Sequence, residues 1–443
     1  MNREILRIAL PNIVSNITVP LMGIASTAIA GHWGDDSVAS IGALAIGVSI
    51  FNFIYWNCSF VRMGTSGITA QAFGAGDMRQ CTAMLVRAVA VSLLLGVAVL
   101  LLRGPLGELS LRMMNGNQLV REYFYARIWA VPAGIVLFGF NGWYTGMQNA
   151  VIPMCIAVAV NVIHILASLW FAFGCGMGIV GIACGSVVAQ YTGVVLAVVL
   201  LAVRYGRTLT RVTLREVCDT AVLRRFMLIC RDIMIRTLCI VAVYTFFTAA
   251  SARMEDAMLL AVNTLLMQLF TIFSYMNDGF AYAAEALTGR FIGARRPDLL
   301  RRCIRGCLWW CLAVSAVFVG VYLVWWRELL GLFVSNGTQG VADVSTAIVA
   351  AAGRYIGWIV VIPLAASVPF LMDGIMVGAT QTRIMRNSMI WSTAAYFAIF
   401  YALRPVVGND ALWCAFTLYM FLRGVLQYRM SGRLRTIYDK AEE

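Results

Sequence analysis

The chain has 443 residues, 61% of them hydrophobic and 12% charged, with a net charge of +13 and a mean hydropathy of +0.82. Ordinary globular proteins carry about 25% charged residues, so this composition excludes a soluble fold and defines a polytopic membrane protein. The basic excess is not a nucleic-acid surface, because the positive residues collect in the connections between apolar segments.

Crossing about 30 Å of hydrocarbon takes about 20 apolar residues. Segments of that length recur at 8–30, 38–60, 83–102, 123–145, 151–173, 179–203, 226–250, 257–289, 304–326, 346–372, 387–403 and 410–428. They predict an all-α integral membrane fold with twelve transmembrane helices. The first run lacks a small-residue cleavage pattern and leads straight into Gly31-His32-Trp33-Gly34, so it reads as a retained helix and not a signal peptide. The longest polar connections, 104–122, 204–225 and 327–345, leave no room for a soluble domain. Residues 1–203 are expected to form an N-terminal six-helix bundle and 204–225 a basic cytoplasmic linker. Residues 226–443 then form a C-terminal six-helix bundle with a short cytoplasmic tail.

Orientation follows from the positive-inside rule. Of the 34 Lys and Arg, 24 fall on one side: Arg3, Arg7, Arg79, Arg87, seven in 204–231, six in 290–305, Arg383, Arg386 and five from Arg423 onward. Seven lie on the other side, and Arg62, Arg127 and Arg236 lie at or within helices. Both termini are therefore expected to be cytoplasmic, with the basic loops facing anionic lipid.

The twelve cysteines contain no CxxC pair. Cys303, Cys307 and Cys311 repeat at i, i+4 but have no partnering histidine, so they read as small packing residues. Gly176-Met177-Gly178-Ile179-Val180-Gly181 spells GxGxxG, which signals a dinucleotide only between a strand and a helix of a βαβ unit. Between two membrane helices it reads as a tight turn and close packing.

An internal repeat appears at an offset of about 220 residues, the kind of self-similarity that marks a duplicated architecture. "GHWGDDSVASIGALAIGVSIFNF" (31–53) lies over "SARMEDAMLLAVNTLLMQLFTIF" (251–273), and "TAQAFGAGD" (69–77) over "TGRFIGARR" (288–296). An even number of spans per half gives parallel repeats about a pseudo-twofold axis along the membrane normal, a transporter architecture with sites near the midplane.

Five stretches carry a family resemblance: "ALPNIVSNITVPLMGIASTAIAGHWG", "RMGTSGITAQAFGAGD", "RDIMIRTL", "YMNDGFAYAAEALTGRFIGA" and "PFLMDGIMVGATQTRIMRNSM". In that order they resemble the MATE (multidrug and toxic compound extrusion) transporters, DinF-like branch, over essentially the whole chain. The resemblance implies two six-helix bundles facing each other across a central cavity. It also implies export of organic, often cationic or amphiphilic, compounds by H+ or Na+ antiport through alternating access. It places the protein in a bacterial inner membrane as a monomer, with a small-molecule substrate, membrane lipid around it and no resident cofactor.

Three acids stand in apolar surroundings: Asp278, Glu285 and Asp373. Positions seven apart on a helix differ by about 700°, close to two full turns, so Asp278 and Glu285 share a face. A charge at the bilayer centre costs about 2.5–3.5 kcal/mol or more and marks ion or proton pathways. Asp373 lies in "PFLMDGIMVG", where Pro369 is expected to break the backbone ladder and free carbonyls. These residues are the expected ion-coupling site, by oxygen ligation of Na+ at Asp373 and Asp278 or by proton exchange. The structural reading pairs Glu285 with Arg290, Asp278 or Asp373 with Arg236, and Asp232 with Arg236.

The first half departs from the family. Many relatives carry an aspartate in the first helix, in a pattern like DTAxxGH, where this chain has Ser26. A second acid of some relatives is Ile165 here, Asn161 is retained, and Ser186 stands where some have threonine. All six acids before residue 200, Glu4, Asp35, Asp36, Asp77, Glu108 and Glu122, are expected in tails or loops. What remains is His164, either a proton-relay or substrate residue or a histidine satisfied by Asn161 at i−3. Asn141 and Tyr275 complete the candidate polar site. Tyr144, Phe273, Tyr275 and Tyr282 are either cation–π partners for substrate or packing residues.

An enzyme is disfavoured: there is no nucleophile motif, no HExxH and only two histidines. A flippase for a lipid-linked precursor would be expected to line its cavity with several arginines, and only Arg62, Arg127 and Arg236 lie near the membrane. A non-transporting membrane sensor is the third alternative.

Overall fold

The computed structural model describes residues 1–32, 37–114, 116–254, 256–334 and 342–432, and all regular structure among them is helical. A bilayer demands this, because hydrocarbon offers no partner to a free N–H or C=O and a helix satisfies its own. Large apolar side chains accordingly point outward, Leu94 at 71% exposed, Val203 at 81% and Trp391 at 67%. The chain divides into two compact units.

One unit comprises Leu10–Met234 with Gly289–Ala294. It holds most of α1 (Asn2–Gly31), then α2 (Ser37–Cys58), α3 (Phe60–Gly74), α4 (Met78–Leu101), α5 (Arg103–Met113), α6 (Gln118–Arg127), α7 (Val131–Gly146), α8 (Val151–Leu169), α9 (Gly178–Tyr205) and α10 (Leu214–Val217). The other comprises Met1–Ala9, Ile235–Thr288 and the chain from Arg295. It holds most of α11 (Thr220–Ala252) and α12 (Ala257–Gly293), then α13 (Pro297–Val334), α14 (Ala342–Ala352), α15 (Ile356–Gly378), α16 (Thr382–Val407) and α17 (Asp410–Met430).

Ten helical stretches among the described residues are long and apolar enough to cross a membrane. The spans expected at 226–250 and 410–428 coincide with α11 and α17, both of which carry arginines within their length. The span expected at 346–372 is two helices, because the chain turns at Gly353-Arg354-Tyr355; α14 is a short helix and α15 carries the span. Contrary to expectation, α15 runs unbroken through Pro363 and Pro369. Each proline withholds only its own N–H, so the carbonyls that lose an in-helix donor are those of Ile359 and Ala365, and the helix continues past both.

Backbones approach closely where glycine removes the side chain. A Cβ at Gly74 would lie 2.0 Å from the Arg290 carbonyl oxygen, and one at Gly293 2.0 Å from the Gln71 carbonyl oxygen. This reciprocal crossing joins the two stretches that the sequence repeat aligns. Gly176 and Gly178 have φ of 68° and 56°, and a Cβ at Gly181 would meet the Ala172 nitrogen at 2.6 Å. The GxGxxG string is thus a turn followed by a helix contact.

Aromatic residues fill both cores. Trp143 donates to the Cys81 carbonyl and Tyr144 to the Ala197 carbonyl, at 2.8 and 2.7 Å. Phe273 is enclosed by Phe270 and Phe318, and Tyr144 and Phe273 are both fully buried in the packing of their units. Cys303, Cys307 and Cys311 are fully buried. Among the early acids, Glu4, Glu108 and Glu122 lie on helices and not in loops, and Asp77 caps α4 through Gln80 N–H at 2.9 Å. Asp35 and Asp36 lie outside the described residues, as does the tail beyond 432. Glu108 and Glu122 are exposed, so helical placement does not bury their charge.

Candidate functional site

In the second unit, α15 presents Asp373, 4% exposed. Its Oδ2 accepts hydrogen bonds from Arg236 on α11 and Arg423 on α17. Its Oδ1 accepts from Gln427 Nε2 at 2.6 Å. One carboxylate thus ties three helices. Arg423 and Gln427 are fully buried, one turn apart on the same face of α17. Arg423 also stacks 5.7 Å from the Phe370 ring. Burying a charge without a partner is prohibitive, which is why two guanidiniums and an acid converge.

Of the expected pairings, Arg236 takes Asp373, while Asp232 takes Arg231 at 3.2 Å. Arg423 is not part of a basic cytoplasmic tail but a buried member of this cluster. Asp278 is only half-buried, whereas Glu285 is 1% exposed, so Glu285 is the better shielded of the two. Flanking them on α12, Asn277 and Thr288 are fully buried, and neither side chain has a hydrogen-bond partner among the described residues. Tyr275 and Tyr282 are half-buried on the same helix. The spacing of Arg423 and Gln427 at i, i+4 on an apolar helix was the signal for their role, masked by the positive-inside count.

In the first unit, His164 on α8 joins α1 and α9. Its Nε2 lies 3.0 Å from Ser26 Oγ and its Nδ1 3.2 Å from Ser186 Oγ. All three are buried. Ser186 donates its only hydroxyl proton to the Ile182 carbonyl at 3.3 Å, so it accepts from Nδ1–H, and Nε2 then accepts from Ser26. That assignment rests on the network, since a neutral imidazole has one donor and one acceptor. Both ring nitrogens being taken, Asn161 is left half-buried on the helix and is not the partner of His164. Asn141 Oδ1 on α7 is buried without a partner among the described residues, as are the hydroxyls of Thr65, Ser66 and Thr69 on α3.

The MatE family model matches residues 11–170 and again 233–402, so the chain carries two copies of one pattern. DNA damage-inducible protein F of Escherichia coli (strain K12) is 35% identical over 432 residues, covering 96% of this chain and 90% of the relative. The probable multidrug resistance protein NorM of Bradyrhizobium diazoefficiens is 24% identical over 456 residues, covering 97% and 93%. A crystal structure of MATE in the bent conformation superposes with a TM-score of 0.85 over 99% of this chain and 97% of that one, at 16% identity. The repeated match, with the identity along nearly the whole chain, assigns this multi-pass membrane protein to the MatE family, whose members are transporters and not enzymes.

Proposed function

We propose that the protein is a secondary exporter of organic amphiphilic compounds, driven by H+ antiport through alternating access. The observation that carries this reading is the tie at Asp373: one buried acid holds α11, α15 and α17 through two guanidiniums and an amide. A proton on that carboxylate removes the charge that holds both arginines and lets α15 part from its neighbours. Na+ needs a cage of oxygen ligands, and the donor set around Asp373 is N–H, so the proton is the favoured coupling ion. The two guanidiniums also oppose an organic cation at this point, which narrows the substrate to amphiphiles. Asp278 and Glu285 on α12 act as the neighbouring relay, and Ser26, His164, Ser186, Asn161 and Asn141 form the polar site of the first half. The protein works as a monomer in a bacterial inner membrane with both termini cytoplasmic.

The test is flux in proteoliposomes with independently imposed H+ and Na+ gradients, using a panel of fluorescent amphiphiles and cationic dyes. Efflux that follows only the Na+ gradient overturns the proton assignment; ligand binding without any gradient-driven flux overturns the exporter. A flippase for a lipid-linked precursor is the second reading, favoured by the burial of Arg423 beside Arg236. It predicts gradient-independent movement of a lipid-linked pyrophosphate in the same vesicles.

A further inference from the structure

Arg236 and Arg423 arrive from different helices and deliver a terminal nitrogen to the same oxygen, Oδ2 of Asp373. The Nε–H of each is buried with no hydrogen-bond partner among the described residues. A guanidinium presents five N–H donors in a planar fork, best satisfied by two oxygens of one oxyanion. Here two forks share one oxygen. Gln427, which donates Nε2 to Asp373, has its Oε1 buried with no donor among the described residues. The cluster therefore holds surplus donors from two arginines and one surplus acceptor.

A purely structural tie does not require this. The MatE pattern matches both halves, and "FNGWYTG" (140–146) aligns with "MDGIMVG" (372–378). The place of Asp373 in the first half is thus held by neutral Asn141, so helix packing at this point does not need charge. Asp278, the next acid on the neighbouring helix α12, is half-buried. Arg423 is 2% exposed and Arg236 15%, which leaves the cluster open from the Arg236 side only.

We infer that Arg236, Arg423 and Gln427 form a binding subsite for an oxyanion group of the transported molecule, a carboxylate or phosphate, with Asp373 as the internal carboxylate that the ligand displaces. The inference rests on the export reading and names a group that the substrate carries. It also supplies the logic of exchange. A proton on Asp373 or an oxyanion on the arginines undoes the same tie, whereas the carrier with neither stays locked.

The probe is 1-naphthyl phosphate, with naphthyltrimethylammonium as its cationic counterpart, titrated by calorimetry into the protein in phosphatidylcholine nanodiscs. The phosphate should bind, Arg423→Gln should weaken it by about tenfold or more, and Asp373→Asn should tighten it by about tenfold because the competing carboxylate is gone. Arg423→Lys should keep part of the affinity, as charge without the fork. Thermal melting checks that each variant is folded. The double variant Arg423→Gln/Asp373→Asn, which leaves one arginine and no acid, should bind more tightly than Arg423→Gln and more weakly than Asp373→Asn, and guards against a single variant that fails to fold. Phosphate affinity within twofold across these variants overturns the inference, as does tighter binding of the ammonium probe that Asp373→Asn abolishes. Doping the discs with phosphatidate separates two sources of the same chemistry: competition assigns the site to a lipid headgroup, no competition to a free solute. No gradient is imposed in the assay, so its failure leaves the exporter reading standing, and failure of flux with binding intact sinks that reading alone.

Discussion

Asn141 and Asp373 are counterparts in the two repeats, each followed by a glycine pressed against a backbone carbonyl. A Cβ at Gly142 would lie 2.3 Å from the Arg62 oxygen, and one at Gly374 2.1 Å from the Ala281 oxygen. The backbone contact is the same and the polar residue differs. The duplicated scaffold is thus common to both halves, while among the described residues the cluster around Asp373 belongs to the second.

Replacing Asp373 by Asn should abolish gradient-driven efflux. It also leaves two buried guanidiniums on a neutral amide, and removing one member of such a buried group costs about 3–5 kcal/mol. The melting temperature should fall, and adding Arg236→Gln should recover part of it. Normal efflux by a folded Asp373→Asn/Asp278→Asn double variant would refute the coupling site.

His164→Gln should retain gradient-driven transport, because an amide can still hydrogen-bond in place of the ring but does not titrate. Ser26→Ala strips the donor from Nε2 and leaves a buried acceptor unsatisfied, a cost of about 1–3 kcal/mol read as a lower melting temperature. Complete loss of proton-driven flux in well-folded His164→Gln, with Asp373→Asn still active, would move the coupling centre to the first half.

Gly74→Ala and Gly293→Ala each place a methyl 2.0 Å from a backbone oxygen, so both should sharply reduce folded yield. Gly23→Ala in α1, with nothing within 4 Å of the added Cβ, should be neutral or gain up to about 1 kcal/mol of helix propensity. Size-exclusion profiles of the three variants decide it, and an equal yield from all three would mean the crossing is looser than described.

Cys218 and Cys175 are both exposed and stand on opposite sides of the expected topology. An impermeant thiol reagent applied to intact cells should label a variant that retains only Cys175 and spare one that retains only Cys218. Ready labelling of Cys218 would reverse the orientation.

The connection after α9 is docked, since Arg87 on α4 donates to the Val217 carbonyl at 2.9 Å and to the Glu216 carbonyl. The Glu216 side chain accepts from Thr213 N–H and pairs with Arg79, and these hold its carboxyl below the usual carboxylate range. A depressed acid stabilises the docked form above its unfolded value and loses that contribution as pH falls through its folded one. Proteolysis between 204 and 219 should therefore accelerate in acid, and Glu216→Gln should show the faster cleavage already at neutral pH. Cleavage at the same rate in that variant would remove the carboxylate from the account.

The sequence alone determined the fold class, most of the spans and the duplication, because apolar length and composition are local properties that a bilayer reads directly. It also brought Ser26, His164 and Ser186 together as candidates through the family pattern. It could not tell that the two serines take both nitrogens of His164 and displace Asn161, since that depends on three helices meeting. Nor could it place Arg423, which by chain position belongs to a basic end and by packing belongs to Asp373. A charge count along the chain sees only distance from the last apolar run. The rotation of α17, set by the side chains it buries against α15, decided that this arginine turns inward.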